Sequence, residues 1–370
     1  MKVPYFDVSR QHQKFAPEAQ AALEKVLKSG AYILGPATKD FEAEFAAYTG
    51  TRFALGVGSG TDALIFSLKA LGIGKGDEVI VPSFTFTSTA LAVMHLGATP
   101  VFADVDENTF NLDPASVRQA LSKKTRALIP VHLFGQCADM TALMSIAKQN
   151  KLKVVEDACQ AHGALWNKVM AGAFGNAGCF SFYPTKNLGG IGDGGMVTTS
   201  DEKLLKRVMQ YRNLGKGIKE PLVHDETGWT SRLDSIQAAF LSLKLKFLDE
   251  LNRERRTVAG LYHRMLAGTP LGLPREAPRA YHVYHLYVVR VPSGKRDALK
   301  SHLASEGIPT MVHYATPVDA QPVMKQFKTR KVKLPVTGQL QKEVLTLPLF
   351  PGMTESEVTA VSESIKKFYK

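Results

Sequence analysis

The chain has 370 residues, 45% of them hydrophobic and 22% charged, which are ordinary globular proportions at a length that is long for one core. No apolar run approaches the roughly 20 residues that span a bilayer, and the first ten residues, interrupted by Asp7 and Arg10, lack the apolar core of a secretory leader. The formal charge of +12 invites a nucleic-acid reading, but the densest basic run, Lys325 to Lys333 with Lys328, Arg330 and Lys331 inside it, offers only Phe327 for stacking and no recognition motif. That run reads as a solvated basic loop, and the overall charge as attraction for a small anionic ligand. Neither nucleic acid nor membrane is expected as a partner. The scattered Cys137, Cys159 and Cys179 read as reduced thiols, so a cytoplasmic location is expected.

In chain order, the segment up to Glu44 is helical in part and is expected to pack across the rest of the molecule. From Phe53 to Thr199, short β-rich runs alternate with helical ones. The strands expected are Phe53–Val57, Glu78–Val81, Pro100–Ala103, Arg126–Val131, Leu152–Glu156, Gly178–Phe182 and Met196–Thr199. Several are almost unbroken Val, Ile, Leu and Phe, as in strands buried on both faces. Helices are expected at Thr61–Leu71, Ser88–Leu96, Pro114–Leu121 and Met140–Gln149. The alternation predicts a doubly wound, mostly parallel α/β sheet, in which ligands sit beyond the carboxyl ends of the strands.

After Asp201 a helix runs through Met209 into the loop Asn213–Gly228. With three glycines, Pro221 and mixed charge, that loop is a candidate flap. Leu233 to Met265 reads as one long helix, strongly basic at Asn252–Arg256, leading into a second unit with a strand at Tyr281–Val291 and a helix at Lys295–Glu306. The expected division is a large α/β domain over residues 1–250 and a smaller C-terminal α/β domain over residues 251–370.

Three stretches carry chemistry. Gly56-Val-Gly58-Ser-Gly60-Thr61-Asp62 follows a strand and opens a helix, so free N–H groups there form a phosphate cradle. A dinucleotide fingerprint would need glycine where Thr61 stands and an acid after the next strand, whereas Asp77 and Glu78 precede it. In Leu152–Gly163, Asp157 ends a buried strand. A carboxylate there needs a partner to stay ionised, and a protonated pyridine nitrogen would serve; a helix N-cap is the competing reading. In Cys179–Met196, an apolar strand breaks at Pro184, presents Lys186 and enters five glycines within seven residues. Alone, Lys186 would be a surface lysine before a glycine hairpin. Ser181 lies five residues before it, where a hydroxyl can reach the same phosphate. Phe86, after another strand, either stacks on a flat ring or belongs to the core. Cradle, strand-end aspartate and strand-end lysine are together the parts of a pyridoxal phosphate (PLP) site. His282 and His285, three apart on an expected strand, face opposite ways, and no zinc spacing appears, so no metal is expected.

Ordered motifs along nearly the whole chain resemble the DegT/DnrJ/EryC1/StrS family of PLP-dependent sugar aminotransferases. They include Ser29-Gly30, Gly35-Pro36, the Gly58–Asp62 turn, Val81–Phe86, Gly97–Asp104, His132–Gly135, Glu156–Gly163 and Phe180–Lys186. Further on come Arg212–Gly215, Ser231–Ala239, Tyr284–Tyr287 and Leu347–Phe350. The resemblance implies the aspartate-aminotransferase fold (PLP fold type I), with Lys186 as covalent anchor and proton shuttle and Asp157 on the pyridine nitrogen. It also implies Gln160 near the ring hydroxyl and Phe86 on the ring face. Gly60, Thr61, Asp62 and Ser181 are implied at the phosphate, Thr61 and Asp62 mainly through their amides. A homodimer with interface sites is implied, as are glutamate as amino donor and a nucleotide-linked keto sugar as acceptor. His313 and Tyr314 match a stretch near the sugar, and Lys219 and His224 on the flap are candidates for the diphosphate. The family usually places asparagine at the position of Thr230, to reach a neighbour's phosphate; Arg232 serves either the interface, an anion or the helix start. A sugar dehydratase, which has histidine in place of the lysine, and a non-catalytic PLP-binding regulator are the rival readings, and an amino-cyclitol ketone the rival substrate.

Overall fold

In a computed structural model that describes residues 3–220, 222–327 and 329–370, the chain builds one large sheet and two small ones. The large sheet takes β1 (Phe53–Val57), β2 (Glu78–Pro82), β3 (Thr99–Ala103), β4 (Thr125–Leu128) and β5 (Lys153–Asp157). A short hairpin, β6 (Leu165–Trp166) and β7 (Val169–Met170), intervenes before β8 (Ala177–Ser181) and β9 (Gly195–Thr199). The order is β1-β9-β8-β5-β4-β2-β3, and β9 alone runs against the others. These are the seven strands expected from the apolar runs, each shifted by a few residues at most.

Neighbouring residues of a strand point to opposite faces, and here each face has its own core. Ile80, Val154, Phe180 and Met196 pack on one side with Phe41, Phe45 and Leu143. Val79, Val81, Val155 and Val197 pack on the other with Leu64, Phe66 and Val93. Burial on both faces is why these strands are apolar without alternation.

The C-terminal part has a separate core around β11 (Tyr287–Arg290) and β12 (Val344–Leu347), an antiparallel pair covered by the helices Leu248–Met265, Arg296–Ser305 and Glu355–Tyr369. The N-terminal segment ties the two parts together. Arg10 makes a two-pronged ion pair to Glu357 (2.8 Å to each oxygen), while Phe15 packs on Phe240 and Phe247.

Two expectations need correction. Leu233–Met265 is not one helix but two, Ser235–Leu245 and Leu248–Met265. Leu233 and Asp234 are extended, with Asp234 bridging Ile33, and the break at Lys246–Phe247 brings the Phe247 ring onto the buried Phe15, 5.3 Å between centroids. Tyr281–Val291 is not one strand. Its start, β10 (Ala280–Tyr281), pairs with β6 in the small three-stranded sheet β10-β6-β7, and its end, β11, pairs with β12, so the intervening residues cross between the two small sheets. His282 and His285 lie in that crossing: His282 stacks on Tyr284 at 3.9 Å, and His285 Nδ1 meets Asn187 Oδ1 at 3.1 Å. The basic run is solvated as expected, Lys325, Arg330, Lys331 and Lys333 all being exposed, with one tether to the body of the protein. Arg330 donates to the Gln119 and Ala120 carbonyls at the end of the helix Pro114–Ala120, where the helix dipole favours a cation. Lys328, and Pro221 of the candidate flap, lie outside the described residues.

Candidate active site

Four strands end around one cavity of about 630 Å³. Past β1 come Ser59, Gly60 and Thr61; past β2 come Thr85, Phe86 and Ser88; β5 supplies Asp157, and β8 supplies Ser181 and then Lys186. All approach from carboxyl ends, the ligand-binding side of such sheets.

The helix Gly60–Ala70 starts with Ser59 as its cap, the serine hydroxyl accepting from the Asp62 amide at 3.1 Å. The Gly60 and Thr61 amides find no acceptor among the described residues, so this end of the helix presents donors to the cavity. Glycine is required here: a Cβ on Gly60 would come within 2.8 Å of both Cys159 Sγ and Ser181 Cβ. Asp62 itself does not line the cavity. Its amide is engaged by Ser59, and its carboxylate accepts from the Ser59 and Ser231 hydroxyls, each at 2.9 Å.

Asp157 is nearly buried and accepts only from neutral donors, the Thr89 hydroxyl at 2.8 Å and the Cys159 amide at 3.2 Å. Turns rather than a helix follow it, which removes the N-cap reading. Among the described residues, a buried carboxylate held this way has no ion-pair partner, Lys186 being near but not in contact. Gln160 accepts from the Phe134 amide at 2.9 Å and donates to the Tyr314 hydroxyl at 3.2 Å.

Lys186 sits on a loop pinned by its own amide to the Tyr183 carbonyl (2.9 Å) and by Gly190 to the Phe182 carbonyl (2.8 Å). Gly189 lets that loop close, since a Cβ there would lie 2.2 Å from the Pro184 oxygen. Desolvation holds the Lys186 pKa below the ordinary lysine value, against the opposing pull of Cys159 and Asp157. The amine is thus biased toward its neutral, nucleophilic form. His313, whose Nδ1 meets the Thr346 hydroxyl at 2.8 Å, is pushed down to about 4 by burial and then by Lys186. Tyr314 packs against Phe84, Phe86 and Phe134, and Phe86 stands at the rim, 57% exposed.

The cavity therefore brings together Gly60, Thr61, Phe86, Asp157, Gln160, Ser181, Lys186, His313 and Tyr314. It does not bring in Lys219, His224, Thr230 or Arg232 of the same chain. His224 Nδ1 donates to the Leu214 carbonyl at 2.7 Å, Arg232 to Asn213 at 3.0 Å, and Thr230 bridges Asn213. Sequence reasoning missed Thr89, which orients Asp157, and also Ser88, Cys159, Tyr5 and Phe6. Thr89 had a signal, a hydroxyl one turn past Phe86 at a strand-end helix start; Tyr5 had none.

This donor set fits pyridoxal phosphate. Free helix-start amides beside a serine suit the phosphate, the uncompensated carboxylate suits a protonated ring nitrogen, and the desolvated lysine suits the aldehyde carbon.

Residues 13–366 match the model of the DegT/DnrJ/EryC1/StrS aminotransferase family. The chain is 44% identical over 368 residues to the dTDP-3-amino-3,4,6-trideoxy-alpha-D-glucose transaminase of Streptomyces venezuelae, covering 99% of this chain and 96% of that one. It is equally identical, 44% over 373 residues, to a pleiotropic regulatory protein of Geobacillus stearothermophilus, covering 100% and 99%. Among solved structures, S. venezuelae DesV in complex with a ketimine intermediate superposes with a TM-score of 0.95 at 43% identity, covering 100% of this chain and 99% of that one. The chain belongs to the DegT/DnrJ/EryC1/StrS aminotransferase family and is a PLP-dependent aminotransferase with the fold of that family.

Proposed function

We propose that this aminotransferase moves an amino group from glutamate to a keto sugar carried on a nucleoside diphosphate. The observation that carries the chemistry is the pairing in one cavity of a desolvated lysine with a buried carboxylate that has only neutral donors. When bound, PLP supplies an electron sink that stabilises negative charge at the substrate carbon. The rest falls to the chain. Asp157, oriented by Thr89, would keep a proton on the ring nitrogen. The Gly60 and Thr61 amides and the Ser181 hydroxyl would take the phosphate, with Asp62 buttressing that turn from behind. Gln160 would lie near the ring hydroxyl and Phe86 would cover one face. Lys186 takes the proton from the substrate carbon and returns it on the other side of the transferred nitrogen, which requires a neutral amine.

His313 and Tyr314 are assigned to the sugar. The net charge of +12 favours approach of a diphosphate-linked substrate, and the S. venezuelae relative bears the name of a dTDP-sugar transaminase. We further infer a homodimer. Tyr32, Ile33, Leu214, Leu222 and Trp229 are large apolar side chains left exposed, Leu222 at 94%; Leu214, Leu222 and Trp229 lie along the segment bearing Lys219, His224, Thr230 and Arg232, and Ile33 bridges Asp234 just after it. Placed against a second copy, those four residues serve the partner's cavity. Residues 1–250 then form the cofactor-binding domain and residues 251–370 the smaller one. Three unpaired cysteines fit the cytoplasm.

A dehydratase is disfavoured because Lys186 is present. The regulatory name of the Geobacillus relative keeps a regulator as the second reading, though nothing in the cavity lacks a part that catalysis needs. Mixing PLP-loaded protein with glutamate decides: the visible absorbance of the lysine-bound cofactor should be lost as the pyridoxamine form appears, then return on adding a nucleotide-linked keto sugar. A spectrum indifferent to glutamate would overturn the enzymatic reading. Recovery only with free keto acids would overturn the sugar.

A further inference from the structure

The N-terminal strap is built into the cavity. Val3 is buried in the C-terminal core, the Phe6 ring meets Phe350 edge-on at 6.5 Å, and Asp7 caps the helix Val8–His12. Arg10 then fastens the strap to Glu357 and to the Gly352 carbonyl. Between these anchors Tyr5 and Phe6 line the same cavity as Lys186. The Tyr5 hydroxyl is shielded from solvent and, among the described residues, makes no hydrogen bond of full geometry, Thr346 being near enough for only a weak one and Tyr314 lying beside it. Thr346 is already engaged by His313, and Tyr314 by Gln160. A buried hydroxyl left without a partner is costly, and a ligand that satisfies it gains selectivity.

The parts of the cofactor already have partners elsewhere in the cavity: helix-start amides and Ser181, Asp157, Gln160 and Lys186. The group that meets Tyr5 therefore belongs to the substrate. It is also uncharged. Among the described residues Lys186 is the one lysine or arginine lining the cavity, Arg10 is spent on Glu357, and the neighbours of Tyr5 are hydroxyls and a neutral imidazole. Beside Tyr5 a diphosphate would find no cation of the same chain, whereas a sugar hydroxyl finds a donor and acceptor. Resting on the nucleotide-sugar reading above, we propose that Tyr5, held over the cavity by the Arg10–Glu357 latch, is a specificity-determining residue whose phenol hydrogen-bonds a hydroxyl of the sugar ring rather than the nucleotide.

The test uses the PLP-loaded protein and Tyr5→Phe, which removes one oxygen that makes no hydrogen bond of full geometry among the described residues. Calorimetry with dTDP-glucose and UDP-glucose, which carry no keto group, and with dTDP and UDP alone, separates the contacts. The expected result is a rise of about fivefold in the Kd of the sugar nucleotide, the size of one hydrogen bond, with less than about half that factor for the bare nucleotide. The half-saturation for glutamate in the first half-reaction should rise by a smaller factor than that for the sugar nucleotide. Equal weakening of dTDP and dTDP-glucose would place the contact on the nucleotide and overturn the proposal. No weakening of either, or equal weakening of glutamate, would overturn it as well. A wild-type protein that reacts with glutamate yet binds no sugar nucleotide would instead sink the sugar reading, and this contact with it. Arg10→Gln, which loosens the latch without touching the cavity, should shift the sugar-nucleotide Kd in the same direction.

Discussion

Among the described residues two lysines have their pKa lowered by burial, and only one is built for chemistry. Lys186 lines an open cavity beside Asp157 and Cys159, at the end of a strand and on a loop tied at both sides. Lys244 is fully buried in the helix Ser235–Leu245, donates to the Gly189 carbonyl at 3.0 Å, and has its pKa lowered to about 7, first by burial and then by Arg255. Burial depresses both amines, but no route for substrate or cofactor reaches Lys244. It braces from behind the glycine loop on which Lys186 rides. A shifted lysine thus marks a reactive site only when a cavity and an unpaired carboxylate come with it.

The contrast breaks most sharply at Lys186. Lys186→Ala should abolish the visible cofactor band and cut transamination by about 10⁴-fold, the loss of both anchor and proton carrier; stopped-flow spectra with glutamate measure it. Asp157→Asn removes the charge that retains the ring proton, and turnover should fall on the order of 10²-fold with weaker PLP retention on dialysis. Thr89→Val removes one neutral hydrogen bond from that carboxylate. An effect of about 1 kcal/mol, roughly fivefold in turnover, is expected, and a loss as large as that of Asp157→Asn would mean that Thr89 itself touches the cofactor.

Lys244→Met should leave the cofactor band intact and show its effect in stability. The folded pKa of Lys244 lies below its unfolded value, so between them the unfolded chain binds more protons and stability rises with pH. From about pH 7 to about pH 9 the gain should be about 2 kcal/mol in the parent and largely absent in the variant, read by urea unfolding. An unchanged pH slope would show that Lys244 stays charged in the fold.

The same contrast explains what could be read in advance. Lys186 and Asp157 announce themselves locally, because a strand end, Pro184 and a run of glycines constrain where the backbone goes whatever packs around it. The helix break at Lys246–Phe247 carries no such mark, since neither residue interrupts helical periodicity; it depends on Phe15, more than two hundred residues earlier in the chain. Likewise the crossing at His282–Leu286 looks like continuous strand until its two ends find different sheets.

By itself, then, the sequence determined the doubly covered sheet, through apolar strands set between amphipathic helices, and the chemistry at its carboxyl edge, through motifs whose geometry is local. Only the tertiary structure decided that Asp157 is oriented by Thr89, that Asp62 faces Ser231 as well as Ser59 rather than the cavity, that Thr230 does not line its own chain's cavity, and that Tyr5 shares the cavity of Lys186. Apart from the Ser59 cap, three residues before Asp62, those juxtapositions join residues tens to hundreds of positions apart, and no spacing rule encodes them, because they come from the closing of separate packed layers on one another.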